Sequence, residues 1–493
     1  MMPAHYCHLY LARVCLESRT GLSIASGLSE GGYDVLLVRD ANGLPTIPGT
    51  AIAGVLRHLY QRAFPDGETE SLFGTEAKGK ESLSRIHCSW GAVHDRHNHP
   101  IEGLLLGAAA EKLETDDLLR LLSEPQPVLR DHVRINHLGT ADGSGKFDRG
   151  TLPPGCRFTL ELLLWSEKEN DPCWERVLSL FHSPLFRLGG AVRRGLGAFN
   201  VVSIHEHHFN LKDPGQFNRF TGLQRSLGSA EGLNLRAKDA PSQCLTAPGA
   251  VPLSVTMTLK GADFWRFGQG LVSFNPETGR KTADQLPIAI PKITWSDDGQ
   301  ARIVDHAILI PASAIKGALA HRFVFHLLRY EGLFLEEMEE RKPPDFNPRD
   351  LKAVQSLFGW ANDTGGDGSL GSVGRLLMDD LTLDLPDGAP RRSRVGRLTH
   401  NSIDRFSGGV RDGALFTEEL LFDLSWPFTL TIIDPHCEPL EDPNLKRALA
   451  DVLEDLASGQ LSLGAGESKG HGIFTSDDVT WSDGGQWIQG GRS

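Results

Sequence analysis

Two copies of a glycine-rich segment constrain the organisation of this chain more than any other feature. The first copy runs from Leu188 to Phe199 (LGGAVRRGLGAF) and the second from Leu463 to Phe474 (LGAGESKGHGIF). Their leucines, their phenylalanines and three of their glycines align without a gap. One such loop would indicate only a turn, whereas a repeated one predicts that the chain contains a tandem duplication.

Both segments have the composition of an anion-binding loop. Glycine permits positive φ and lets backbone N–H groups come close to a phosphate, while basic side chains supply charge. The alternative is a purely structural turn, and His471 could either donate a hydrogen bond to a ligand or simply fill space. The candidate binding residues are Gly189, Gly190, Arg193, Arg194, Gly195 and Gly197 in the first segment, and Gly464, Lys469, Gly470 and His471 in the second.

The overall composition is that of a globular protein with about two to four domains. Among the 493 residues, 40% are hydrophobic and 23% are charged, and no apolar run approaches the roughly 20 residues that span a bilayer. The N-terminus lacks the pattern of a signal peptide, and the seven cysteines are scattered without a C-x-x-C pair. We therefore expect a cytoplasmic protein with reduced thiols.

The net charge of −13 argues against a protein that coats nucleic acid nonspecifically. A local basic groove on this acidic chain remains compatible with that charge, because charges more than about 10 Å apart are screened at ordinary salt.

The order of predicted elements also repeats. Each half opens with a strand, Tyr6–Leu16 or Val255–Lys260, and continues through a glycine-containing loop and a hairpin to a helix. Thr50 is predicted to be the N-cap of the first helix. Each half then ends with a strand, a helix and the glycine-rich segment. This order predicts an α+β chain with two tandem ferredoxin-like domains, at residues 1–204 and 251–493, joined by a polar linker at 205–250.

Three kinds of segment resemble one protein family. Ile47 to Arg57 (IPGTAIAGVLR) and Ile310 to Leu319 (IPASAIKGAL) are similar to the IPGSSLKGxLR signature of the RAMP (repeat-associated mysterious) proteins, which form the backbone of type III CRISPR effector complexes. Ile403 to Phe416 resembles the segment that leads into the family's thumb hairpin, and the two glycine-rich segments resemble its C-terminal loop. A fused pair of backbone subunits, as in type III-D systems, fits best.

The resemblance implies two RRM-like domains, each with an inserted thumb β-hairpin. It also implies three kinds of partner: a guide CRISPR RNA, a complementary target RNA and the other subunits of the complex, with no membrane. Many such subunits cut target RNA with an aspartate and a divalent cation, Mg²⁺ or another. Asp34 and Asp284 occupy the place of that aspartate and are the predicted catalytic and metal-binding residues, whereas Asp40 is predicted to cap the Asn42-Gly43 turn.

An aspartate in such a loop can bind Mg²⁺ or orient a ribose 2′-hydroxyl. Further RNA contacts follow from the resemblance, although Ala53 stands where the family has lysine and Asn136-His137 replaces Asp-Arg in the first thumb. The implied RNA-binding residues are Thr50 and Arg57 in the first signature helix, Ser313 and Lys316 in the second, and Arg134, His137, Arg405 and Arg411 beside the thumbs.

The sequence is also compatible with two other functions. The chain could be a catalytically silent, structural RNA-binding subunit, or a metal-independent endoribonuclease that processes the guide with a histidine such as His58 or His137 as base. A cluster of His87, Cys88, His94, His97 and His99 suggests zinc, but its spacing matches no standard zinc finger, so a structural zinc site is not expected.

Overall fold

The computed structural model describes residues 6–27, 36–65, 67–76, 81–135, 140–237, 251–276, 282–333, 351–361, 371–385 and 394–490. Two predicted site residues, Asp34 and His137, lie outside these ranges. Within them, no helix is both long and apolar enough to cross a bilayer.

The first half folds around an antiparallel sheet with two helices. Its core strands lie in the order fourth, first, third, second, as in a ferredoxin-like fold. The apolar face of the first helix, which includes Ile52, Leu56 and Leu59, is buried in the core. The elements are β1 (His8–Ser18), α1 (Gly49–Ala63), β2 (Ile86–Cys88), β3 (Gly91–Val93), β4 (Val128–Ile135), β5 (Ala141–Thr151), β6 (Arg157–Ser166), α2 (Pro172–Leu180) and β7 (Phe199–Asn210).

The second half repeats this arrangement. Its core strands also lie in the order fourth, first, third, second. Ile315, Leu319 and Phe323 on the signature helix are buried in its core. The elements are β8 (Leu253–Gly261), β9 (Ala289–Trp295), β10 (Ala301–Ile310), α3 (Ala312–Tyr330), β11 (Leu376–Leu377), β12 (Val395–His400), β13 (Phe416–Leu421), β14 (Ser425–Ile432), α4 (Pro443–Ala457) and β15 (Phe474–Thr475).

The remaining elements are short. They are the helices Thr69–Phe73, Lys112–Thr115, Asp117–Ser123, Pro214–Thr221, Lys352–Phe358 and Gln486–Gln489, and the strands Thr46–Ile47, Asn234–Leu235, Gly359–Ala361, Gly371–Val373, Leu381–Leu383 and Thr480–Trp481.

Each half carries one thumb hairpin at the same point of the fold. The first thumb, β4–β5, and the second, β12–β13, are both inserted between the second and third core strands. The prediction of two tandem ferredoxin-like α+β domains with inserted thumbs is therefore confirmed. We call the halves the first and second modules.

Two local predictions about the start of the first module have different outcomes. Helix α1 begins at Gly49 after Pro48 and has no side-chain cap, so the prediction of Thr50 as N-cap is wrong. Gly49 is needed there because a Cβ atom would collide with the carbonyl oxygen of Cys88. Asp40 does cap its turn, since its Oδ1 accepts hydrogen bonds from the N–H groups of Asn42 at 2.8 Å and Leu44 at 2.9 Å.

The segment predicted as a linker at 205–250 belongs in large part to the first module. Strand β7 continues to Asn210 and pairs with β1, with His208 opposite Tyr10. The polar residues at 205–208 are held in the sheet because Ile204 and Phe209, which flank them, are buried. Helix Pro214–Thr221 and strand Asn234–Leu235 follow on the same module. The first module therefore extends to at least residue 237, and residues 238–250 lie outside the described ranges.

The two modules are joined by buried polar contacts centred on Asp380. Its Oδ2 lies 2.5 Å from Nη1 of Arg130 at the base of the first thumb. Its Oδ1 accepts a hydrogen bond from the N–H of Ala312, at the start of α3, at 2.8 Å. Its own N–H donates to the carbonyl of Gly195 at 3.0 Å. The first glycine-rich segment therefore lies at the boundary between the modules.

Candidate nucleic-acid interface and active site

The two glycine-rich segments adopt the same closed loop. The N–H of Leu188 donates to the carbonyl of Gly197 at 3.0 Å, and that of Leu463 donates to the carbonyl of Gly472 at 2.8 Å. Gly189, Gly195 and Gly197 have positive φ, as do Gly464, Gly470 and Gly472. We call these segments the first loop (188–199) and the second loop (463–474). Their backbone conformation shows that the aligned glycines serve the fold, whatever they bind.

Two glycines of the second loop allow the cost of backbone strain to be distinguished from the cost of steric crowding. Gly470 and Gly472 have φ near +78° and +79°, but a Cβ at Gly470 would meet nothing, whereas one at Gly472 would collide with the carbonyl oxygen of Leu463. We expect Gly470→Ala to cost about 1–2 kcal/mol, because any L-residue is strained there. Gly472→Ala should cost about 1–3 kcal/mol more through overpacking. Urea unfolding of both variants measures the difference, and equal losses would contradict the steric explanation.

The first loop lies in a dense cluster of positive charge. Lys316 Nζ on α3 of the second module lies 3.4 Å from the carbonyl oxygen of Arg193. Burial, together with the charges of Arg193 and Arg194, lowers the pKa of Lys316 to about 8. Burial, with the charges of Arg187 and Arg62, lowers the pKa of Arg193 to about 10. These cations repel one another, so an anion bound among them would be strongly favoured.

The second loop has a different charge balance, because it lies beside a buried carboxylate. Glu418 on β13 is 1% exposed, and its Oε1 lies 3.0 Å from Lys469 Nζ and 2.5 Å from His400 Nε2. Arg266 lies 3.8 Å from its Oε2. Burial raises the pKa of Glu418, but the hydrogen bond and charge of Lys469, with the charges of His400 and Arg266, hold it below its ordinary value. The charge of Lys469 is therefore largely compensated within the protein.

His471 of the second loop is buried. It is 7% exposed, and its ring lies edge-on to Phe264 at 6.1 Å between centroids. This position fits the space-filling alternative rather than a direct contact with a ligand.

Asp284 lies beside the second thumb, at the start of β13. It is exposed, and its Oδ2 accepts hydrogen bonds from the N–H of Thr417 at 2.8 Å and from Thr417 Oγ1 at 3.1 Å. The next residue, Gln285, forms an isolated parallel β-bridge with Glu418, which follows Thr417 on β13. The carboxylate is thus oriented by the first residues of β13, and no local sequence pattern indicates this contact.

The other candidate RNA-binding residues are distributed over the surface. Thr50 and Arg57 are exposed on α1, and Arg405 and Arg411 are exposed on the second thumb. Ser313 lies three residues before Lys316 on α3 and is half-buried. Arg134 is in β4, where its side chain is not described. The structure therefore brings together Arg193, Arg194 and Lys316, but it leaves Thr50 and Arg57 on the open face of α1.

His94, in the middle of the histidine cluster, is engaged by neighbouring side chains. Nδ1 of His94 lies 2.9 Å from Asn98 Oδ1, and its Nε2 lies 2.8 Å from Thr159 Oγ1, so both ring nitrogens are occupied. Burial lowers its pKa to about 4. Across the described ranges, no three histidine, cysteine or acidic side chains are grouped to hold a metal. RNA oxygens and water can supply further ligands to a cation at Asp284, as they commonly do for Mg²⁺.

The family is decided by a comparison with family models. The model of the RAMP superfamily matches residues 15–200 and, separately, residues 297–475. The chain belongs to the RAMP superfamily. Because the two matches fall on the two modules, it is a tandem RAMP protein. RAMP proteins are generally CRISPR-associated proteins that bind RNA, and some of them are endoribonucleases. A search of curated proteins gave no match to this sequence.

Proposed function

We propose that this tandem RAMP protein is a two-module backbone subunit of a type III CRISPR effector complex. In this proposal it binds guide CRISPR RNA along its two loops and cleaves complementary target RNA with Asp34 in the first module and Asp284 in the second. The other subunits of the complex are its remaining partners.

The basic cluster at the first loop is the observation that carries the proposal. Arg193, Arg194 and Lys316 come from both modules and converge in a chain whose net charge is −13. The nearby carboxylates are already paired, Asp380 with Arg130 and Asp379 with Arg187 and Arg19. A polyanion that runs along the module boundary would supply the missing negative charge.

The position of Asp284 supports a role in cutting. RNA cleavage needs a group that takes or orients the proton of the attacking hydroxyl, and a carboxylate fixed by two hydrogen bonds from Thr417 is suited to that task. A divalent cation bound to the carboxylate would neutralise charge on the RNA phosphate. The same role is proposed for Asp34 from its position in the sequence alone, because this residue lies outside the described ranges.

Guide binding is expected to weaken as the pH rises through about 8. Lys316 has its pKa lowered to about 8 by burial and by Arg193 and Arg194, so it is charged below that pH and neutral above it. RNA phosphate favours the charged form, so binding should take up a proton near pH 8. Fluorescence anisotropy with labelled guide at fixed salt should show a roughly tenfold loss of affinity between pH 7 and pH 9.

Lys316→Arg provides the control, because arginine stays charged over this range. Its affinity should vary much less with pH. The same pH profile in both proteins would show that Lys316 does not contact the guide.

The assembled complex tests the function as a whole. Complementary target RNA should be cut in the presence of Mg²⁺ and should stay intact in EDTA. Cutting of guide precursor that persists in EDTA would favour the metal-independent endoribonuclease with a histidine base. Tight guide binding with an intact target under all conditions would leave a structural RNA-binding subunit.

A further inference from the structure

Each loop contacts the thumb of its own module through the same three kinds of side chain. In the first module, the guanidinium carbon of Arg194 lies 4.9 Å from the ring centroid of Phe147. In the second, Lys469 Nζ lies 4.7 Å from the ring centroid of Phe416. Arg194 and Lys469 occupy corresponding positions in the two loops, and Phe147 and Phe416 occupy corresponding positions in the two thumbs.

A histidine completes the group in both thumbs. His132 is the cross-strand partner of Phe147, and their rings stack at 4.9 Å with an angle of 12°. His400 is the cross-strand partner of Phe416, and their rings stack at 5.0 Å with an angle of 25°. We call each cation–phenylalanine–histidine group a clasp. Its recurrence in both modules, with arginine in one and lysine in the other, indicates that the geometry matters more than the identity of the cation.

The clasp directs the cation of the loop towards the thumb. A cation over an aromatic face is attracted by the negative charge density of the ring, and an aromatic side chain also packs well against its cross-strand neighbour. Each loop is therefore tied to its thumb strand by a directional contact. This assigns Arg194 and Lys469 a role inside the protein, in addition to the RNA contact predicted from the sequence.

In the second module the clasp also leads to the candidate catalytic residue. Phe416 is followed directly by Thr417, which holds Asp284, and by Glu418, which pairs with Lys469 and His400. Three consecutive residues of one strand thus connect the loop, the thumb and the carboxylate. A displacement of the loop would displace Asp284 as well.

We propose that the clasps Arg194–Phe147–His132 and Lys469–Phe416–His400 are positioning groups. They fix each thumb on the loop of its module, and in the second module the clasp also holds the target RNA in register with Asp284. The second part rests on the proposed function, whereas the attachment of thumb to loop does not.

Limited proteolysis tests the attachment without any RNA. Arg405 and Arg411 are exposed on the second thumb and are cleavage sites for trypsin. In the free full-length chain, Phe416→Leu removes the aromatic face while keeping an apolar side chain, so cleavage after these arginines should be several-fold faster. Phe416→Tyr keeps the ring and should restore the slow rate. Equal rates in wild type, Phe416→Leu and Phe416→Tyr would overturn the clasp.

Product analysis in the assembled complex tests the positioning. Phe416→Leu should reduce or shift the product assigned to Asp284 and leave the other product unchanged, whereas Phe147→Leu in the first module should leave the Asp284 product unchanged. A general loss of folding would lower both products together, so each module serves as the control for the other. Faster proteolysis combined with an unchanged product pattern would overturn the positioning role. A complex that never cuts target RNA would overturn the proposed function. The proteolysis result would still decide whether the clasp exists.

Discussion

Replacement of Asp284 by asparagine is expected to remove one of two target-cleavage products while the other persists. Asparagine has the same shape and can still accept the N–H of Thr417, so the start of β13 should stay in place. The lost charge removes the group that would take the proton or bind the cation. Contributions of this kind are worth about 10²- to 10⁴-fold in rate. Single-turnover cleavage of end-labelled target RNA by the assembled complex measures the loss for each product.

Two further variants separate the chemistry from its support. Asp34→Asn should remove the second product in the same way. Thr417→Val keeps the backbone N–H that holds Asp284 but loses the 3.1 Å hydroxyl contact, so a smaller loss of the same product is expected. An unchanged product pattern in Asp284→Asn would refute its catalytic assignment.

The repeated fold could be predicted because its signals are local. Glycines with positive φ, apolar helix faces and turn residues appear in both halves, and they determine the same elements in each. The errors arose where tertiary contacts outweighed local preference. Thr50 resembles an N-cap, yet the close approach of Gly49 to Cys88 sets the start of α1. The run at 205–208 is polar, yet it lies in a strand because its neighbours Ile204 and Phe209 are buried.

The candidate site was only partly predictable for the same reason. The resemblance placed Lys316 on the face of its helix that binds RNA phosphate, but nothing local indicated that Arg193 of the other module lies against it. Thr417 and Glu418 were missed because their contacts with Asp284 and Lys469 join residues far apart in sequence. The clasps are hidden from local sequence patterns as well, because Phe147 and Phe416 meet Arg194 and Lys469 across long sequence separations.

Loss of the Arg130–Asp380 pair should strongly destabilise the protein. The two side chains are 4% and 3% exposed and belong to different modules. Arg130→Met would leave the Asp380 carboxylate buried without its cation, although the N–H of Ala312 would still donate to it. Removal of one partner of a buried ion pair typically costs about 3–5 kcal/mol. Urea unfolding of the full chain, followed by tryptophan fluorescence, measures this cost.

A nearby ion pair provides a matched control. Arg19 pairs with Asp379 across the same boundary, but its side chain is 48% exposed. Arg19→Met should therefore cost about 1 kcal/mol or less, because water already screens that pair. Equal losses in the two variants would show that burial is not what makes the Arg130 contact important.

A double substitution identifies the source of the loss and its consequence for RNA. Arg130→Met combined with Asp380→Asn leaves no buried charge at this pair, and the asparagine can still accept a hydrogen bond from the N–H of Ala312. Part of the lost stability should therefore return. Strictly additive losses would contradict the pairing. The N–H of Asp380 also donates to the carbonyl of Gly195 in the first loop. Separation of the modules should therefore move Arg193 away from Lys316. Arg130→Met should then weaken guide binding as well, whereas the double variant should recover stability and guide affinity together.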